Sequence, residues 1–445
     1  MLKAGFYEKQ ITPPLGCSMS GDFVPRYSED VMDELYAKAV VISNDEEIVA
    51  ILSVDATEID AGIRQKVVER VTSFVDIKPE NIVVHATHTH YSSPNTSGIA
   101  YEVQPLEIQH MAYFVLLLAD AIILAYKRLK PVSIKYAKAY EDSISFNRNY
   151  KMKDGYIMSN PGFENPDIVE AHAGIDPEIP ILFFEDENGK PVGLLWSFAC
   201  HQCCGCIGPN NTKSYTGDFS CITAKNFKDD FGMDFVSIFF AGTCGNINHI
   251  NPFSKPTPRD HYVKMGHILH EDIKKALETA SVSQEDVLKV KTKLMSLKKG
   301  KLTETEIKEA HNIINELADK DVKYTVFDPQ SDFLKLVFAK TKLAHAKKQD
   351  EDFKFQIQVI HIGDCNFYTM PGEIFVQFGL MVKEKSPSDK NFVVELCNDD
   401  IGYVPVRELL NEKRLYESSV GWSRMADIEA GYILVDELLK MANEI

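Results

Sequence analysis

Val83-Val84-His85-Ala86-Thr87-His88-Thr89-His90 runs an apolar, β-branched segment into two histidines one residue apart. Such a segment fits a half-buried strand. In an extended chain the side chains of residues i and i+2 face the same way. His88 and His90 are therefore expected to open into one cleft, as a pair of metal ligands or proton carriers. On these eight residues alone, two polar groups at a strand exit fit equally well. His85 shares their parity but lies deeper in the strand, and reads as a core histidine.

The same pattern recurs outward along the chain. Trp196-Ser197-Phe198-Ala199-Cys200-His201 brings another apolar strand to a histidine. Val236–Ala241 runs into Gly242-Thr243-Cys244-Gly245-Asn246-Ile247-Asn248-His249, a tight loop whose N–H groups could face an oxyanion. Phe367-Tyr368-Thr369-Met370-Pro371-Gly372-Glu373 places a carboxylate at a strand's rim, and Gly402-Tyr403-Val404 places a tyrosine in a loop. Further strands are expected at Ala39–Ile42, Val49–Val54, Ile181–Phe184 and Gln356–Ile362. Helical spacing runs through Ile63, Val67, Val71 and Phe74. A longer helix is expected over Ile108–Leu129, stopped by Pro131. Thr303 and Glu306 form a capping box ahead of an apolar face at Ile307, Ala310, Ile314 and Leu317. Several strands that each end in a polar group predict an α/β fold of mixed β-sheets flanked by helices. The prediction is one unit over residues 1–445, with a helix-rich excursion around 285–350.

With 445 residues and a net charge of −17, the chain is acidic and of ordinary globular composition. Nucleic acid and anionic membrane surfaces recruit basic patches, so neither is expected as a partner. The N-terminus lacks the apolar core of a signal peptide. The longest apolar run, Met111–Ala119, is short for a bilayer, so no stable membrane anchor is expected. Nine cysteines, mostly scattered, suggest a reducing compartment and a cytoplasmic address. Cys200, Cys203, Cys204 and Cys206 surround His201, but their spacing matches no standard metal cluster. They read as packed thiols rather than an iron–sulfur site.

Taken together, these segments resemble the neutral, non-lysosomal ceramidase family. Ile11-Thr12-Pro13-Pro14-Leu15-Gly16 resembles its N-terminal signature, and Leu35-Tyr36-Ala37-Lys38-Ala39 one of its strands. Ala86-Thr87-His88-Thr89-His90 is similar to its most diagnostic motif, and Thr216-Gly217-Asp218 to a segment downstream of its second histidine. The resemblance implies zinc bound by His88, His201, Glu373 and Tyr403. It implies that His90 handles a proton and that Arg148 lies in the cleft, with Tyr416 nearby. Where the family has a catalytic serine, this chain has Asn248, which cannot serve as that nucleophile but can donate a hydrogen bond. The chain also ends at Ile445, where the family continues into an immunoglobulin-like domain.

The expectation is therefore a zinc-dependent hydrolase that attacks an amide through a metal-activated water. Its substrate would be a small or N-acyl molecule other than a ceramide. An esterase or lactamase on the same site, or a non-catalytic ligand-binding relative, remains an alternative. His249 is a reserve proton carrier, Asp55 could orient a ligand histidine, and a homo-oligomer is possible.

Overall fold

The computed structural model describes residues 1–22, 26–92, 103–204, 213–283, 286–323, 331–410, 412 and 414–445. Gly205 and Cys206, in the cysteine-rich stretch, lie outside the described residues.

Two mixed sheets stack face to face, with helices on both outer surfaces. The larger sheet has the order Val236–Ala241, Pro191–Phe198, Glu178–Asp186, Lys130–Tyr140, Lys3–Gln10, Tyr36–Ser43, Ile48–Val54, Ile82–Ala86. Its interior ladders are antiparallel, and the outermost pair at each edge is parallel. The smaller sheet has the order Leu288–Leu297, Phe353–Ile362, Cys365–Thr369, Asn391–Val394. Between the sheets, Val40, Ile51, Phe184 and Phe240 meet Ile360, Phe367 and Val394 in one apolar layer. The opposite face of the large sheet packs under Ala61–Thr72 and Pro105–Tyr126 on one side, and under Asp218–Phe231 and His261–Leu277 on the other. Val376–Lys385 and Ala430–Asn443 cover the small sheet. All seven strands expected from apolar patterning are present.

His85 explains where a site can form. Its Nε2 accepts the Ala241 amide at 3.0 Å, so its proton sits on Nδ1 and is directed at Ser53 Oγ, 3.1 Å away. Ser53 donates onward to the Phe239 carbonyl. This chain of bonds joins the two edge regions of the large sheet without a backbone ladder. His85 is fully buried, and burial, joined by His88, lowers its pKa to about 3. It is the satisfied core histidine expected from sequence. The consequence is that the strand exits after Ala86, Phe198 and Ala241 converge at one seam.

The bounds of the long helix and the make-up of the excursion differ from expectation. The long helix runs Pro105–Tyr126, and Pro131 lies within the strand Lys130–Tyr140, opposite Lys3. The helix must end early because the chain turns back at residues 127–129 to run beside Lys3–Gln10. At its full 22 residues, this helix is long and apolar enough to cross a membrane by length and composition, which the shorter Met111–Ala119 run concealed. Its inner face, including Phe114, Leu118 and Ile122, packs in the core. In the excursion, Leu288–Leu297 is a strand, and the helices Glu304–Leu317 and Asp332–Ala346 follow it. The alternation Leu288-Lys289-Val290-Lys291 is a strand signal that the local charge obscured. The Thr303–Glu306 capping box forms as expected.

Candidate metal centre

The strand ends at Ala86, and His88 has φ of 65°, so the extended-chain argument for the histidine pair does not hold. A left-handed residue that is not glycine is costly and is kept where tertiary contacts over-determine it. Here the His88 amide bonds the Ala56 carbonyl, and the His90 amide bonds the Gln202 carbonyl. The turn nonetheless brings the rings together, with His90 Nε2 3.3 Å from His88 Nε2.

Two backbone carbonyls fix the tautomers. His88 Nδ1 is 2.8 Å from the Thr57 carbonyl, and His201 Nδ1 is 2.8 Å from the Cys244 carbonyl. A carbonyl only accepts, so each Nδ1 carries the proton and each Nε2 presents a lone pair. Both lone pairs point at one oxygen: Glu373 Oε2 lies 3.2 Å from His88 Nε2 and 3.1 Å from His201 Nε2. Three polar atoms therefore converge in a buried site, where either a proton on His88 Nε2 or a bound cation would reconcile them. Burial alone would lower His88 and raise Glu373. Their mutual attraction outweighs both, raising His88 and holding the Glu373 carboxyl well below the usual range. Burial, reinforced by Arg148, takes His201 down to about 3. Burial and the neighbouring His88 hold His90 well below its usual value.

The donor set fits a divalent metal. Neighbouring donors on a tetrahedral zinc with bonds of about 2.0–2.1 Å stand about 3.3 Å apart, close to the 3.2 and 3.1 Å from Glu373 Oε2 to His88 Nε2 and His201 Nε2. His88, His90 and His201 group closely enough to hold one ion. Glu373 is enclosed rather than set at a rim, with its side chain 14% exposed. It sits in a short strand paired in parallel with Tyr403, whose phenol hydrogen-bonds it.

Arg148 forms the far wall. Its Nε donates to Glu417 at 2.9 Å, Nη2 to the Gly245 carbonyl, and Nη1 lies 3.3 Å from His201 Nε2. Its guanidinium lies over the rings of Tyr403 and Tyr416, at 5.1 and 5.4 Å. Burial raises both phenols, with Arg148 opposing, and the two hydroxyls are hydrogen-bonded to each other.

The other expected residues stand further off. Asn248 is buried and pairs with Phe146, two residues before Arg148, but its Nδ2 donates to Asn160 at 3.0 Å and its Oδ1 accepts the Ile250 amide at 2.9 Å. His249 faces Cys203, with Nδ1 3.9 Å from Sγ, and the ring of His261. Asp55 does not touch a site histidine; it accepts the Tyr36 amide and the Thr87 hydroxyl. Cys200 and Cys204 are buried thiols, raised well above the usual range by burial and then by Asp218. Among the described residues, the histidine trio is the one group of this kind that could hold a metal. Sequence reasoning missed the Thr57 and Cys244 carbonyls, which no side-chain motif marks. It also missed Glu395, whose signal was a lone carboxylate directly after the apolar strand residues Phe392-Val393-Val394.

The model of the family described as "Neutral/alkaline non-lysosomal ceramidase, N-terminal" matches residues 19–248, which include His88, His90, Arg148 and His201. The neutral ceramidase of Pseudomonas aeruginosa is 27% identical over 221 residues, a stretch covering 47% of this chain and 30% of that protein. The crystal structure of neutral ceramidase from that organism superposes with a TM-score of 0.73 at 18% identity, over 99% of this chain and 74% of the other. A ceramidase structure complexed with C2 gives a TM-score of 0.70 at 18% identity. The chain belongs to the neutral/alkaline non-lysosomal ceramidase family.

Proposed function

We propose that this protein is a zinc-dependent hydrolase that cleaves an amide C–N bond in a small or N-acyl substrate other than a ceramide. The observation that carries this reading is the convergence of His88 Nε2, His201 Nε2 and Glu373 Oε2 on one buried point. These three groups, with Tyr403 beside Glu373, would hold the ion. A zinc ion bound there would supply Lewis acidity, polarising a carbonyl and making water acidic enough to act near neutral pH.

The chain's own groups divide the remaining work. His90 is the one imidazole of the three that keeps solvent access, and it is held neutral, so it can take a proton from the attacking water and return it to the leaving amine. Its distance to His88 would also allow it to act as a ligand; its solvent access favours the proton-transfer role. Arg148 Nη1 can donate to the carbonyl oxygen as negative charge develops. Tyr416, whose phenol is raised by burial, acts as a donor and not as a base. Asn248 supplies an amide where the family's serine would supply a nucleophile, which favours direct attack by water and turns the reading away from ceramide. The same groups would serve an ester or a lactam.

The reading places the protein in a reducing, cytoplasmic setting, on the ground of its scattered cysteines. The test is elemental analysis of protein purified without a histidine tag, followed by a panel of amides, esters and lactams. Near-stoichiometric zinc is expected in the native protein and its loss in His88→Ala and His201→Ala. Full zinc retained in both variants sinks the proposal. Tight binding of one compound without turnover would support a non-catalytic relative.

A further inference from the structure

Glu395 lies one shell behind the metal centre and is completely buried. Its carboxylate faces two backbone amides and a thiol rather than a lysine or arginine. Oε2 accepts the Ile374 amide at 2.8 Å and the Cys244 amide at 3.0 Å, and Oε1 accepts the Cys244 thiol at 3.0 Å. Burying an acid is costly, and a carboxylate kept in such a place is held by what it organises.

Both amides belong to residues that aim site groups. Cys244 supplies the carbonyl that fixes the His201 ring, and Ile374 directly follows Glu373. The two segments are also tied by the Gly245 amide, which donates to the Ile374 carbonyl at 2.8 Å. A Cβ on Gly245 would lie 2.5 Å from the Glu373 carbonyl oxygen, so the segments approach as closely as backbone allows. The Gly245 carbonyl in turn receives Arg148. One oxygen, Glu395 Oε2, therefore staples the loop that orients His201 and Arg148 to the strand that carries Glu373. The main chain of Glu395 is itself anchored, its amide donating to the Ala241 carbonyl at 3.1 Å.

We infer that Glu395 is a positioning residue for the metal centre: by gathering the Cys244 and Ile374 amides on one carboxylate oxygen, it sets the spacing between His201 and Glu373. The inference rests on the metal-centre reading above. Glutamine keeps one carbonyl oxygen able to accept both amides, alanine keeps none, and aspartate is one methylene too short to reach both.

The experiment measures zinc affinity by chelator competition in native protein and in Glu395→Gln, Glu395→Asp and Glu395→Ala. It also records the imidazole N–H signals of the metal-free forms by NMR. Outer contacts of this kind typically contribute about 10–100-fold in metal affinity. Losses in that range are expected for alanine and aspartate, with rescue to within about threefold by glutamine. The slowly exchanging Nδ1–H signal of His201 should persist in the native and glutamine proteins and be lost in the alanine variant. If alanine does not fold, aspartate carries the comparison. Native affinity in the alanine or aspartate variant overturns the inference. So does a glutamine variant as weak as alanine, which would make charge rather than the staple the cause. Native protein that binds no zinc defeats the metal reading instead. The His201 signal then decides the positioning role by itself: its loss in the alanine variant with rescue by glutamine upholds that role, and its persistence overturns it.

Discussion

Replacing Glu417 by alanine should be among the most damaging single changes in this protein, although Glu417 touches none of the three converging site atoms. The carboxylate is fully buried and accepts from Arg148 Nε at 2.9 Å, from Asn149 Nδ2 at 3.2 Å and from the Ser159 hydroxyl. Arg148 is 5% exposed and always charged. Removing one partner of such a pair leaves an uncompensated buried charge, which costs about 3–5 kcal/mol. The Tyr403 and Tyr416 faces and the Gly245 carbonyl soften that cost without cancelling it, so we expect a loss of about 4 kcal/mol, about a thousandfold in the folding equilibrium. Urea unfolding at pH 7 reads this through fluorescence, because Trp422 lies 5.7 Å from Tyr416. The midpoint should fall with an unchanged slope. An Arg148→Met, Glu417→Leu double variant should regain most of the loss, since a well-packed apolar pair can replace a buried ion pair. A Glu417→Ala variant that loses less than about 1 kcal/mol at constant slope would refute this account of how Arg148 is held.

Other outcomes follow from the same geometry. His85 has a folded pKa of about 3 against about 6.5 in an unfolded chain. Its lowered value means the unfolded state binds the extra proton, so its contribution is complete above about pH 6.5 and is lost as pH falls toward 3. His85→Gln should reduce the acid-side slope of stability by about one proton, roughly 1.4 kcal/mol per pH unit; an unchanged slope counts against the assignment. His85→Ala should also orphan the buried Ala241 amide, which adds about 1–3 kcal/mol of destabilisation in thermal or urea unfolding at pH 7. Gly245→Ala should weaken zinc binding by at least about tenfold in chelator competition, because its Cβ would press on the Glu373 carbonyl; native affinity in that variant would show that the two segments can separate freely.

The strands were legible because their apolar runs are long and their periodicity is unmixed: Ile82–Ala86, Pro191–Phe198 and Val236–Ala241 stand out as continuous buried segments. Leu288–Leu297 was not, because lysines at alternate positions made a half-exposed strand resemble the charged helices after it. His88, His201 and Glu373 were legible as chemistry at strand exits, but not in their arrangement. The parity argument assumed an extended chain, and the actual turn depends on left-handed His88, held by contacts from distant segments. The meeting of the sheet edges at His85 is a tertiary event, and no local window contains it. The carbonyls of Thr57 and Cys244, which set the histidine tautomers, leave no mark in a side-chain motif at all. Glu395 did leave one, a single carboxylate directly after an apolar strand, but its meaning depends on two amides more than twenty and more than a hundred residues away.

The central claim is that His88, His201 and Glu373 form one metal site. A crystal of native protein supplied with one equivalent of zinc, measured on both sides of the zinc absorption edge, tests it directly. The account predicts one strong anomalous peak about 2.0–2.2 Å from His88 Nε2, His201 Nε2 and a Glu373 carboxylate oxygen. No peak there, or a peak bound elsewhere while these three groups keep their separations, would contradict it.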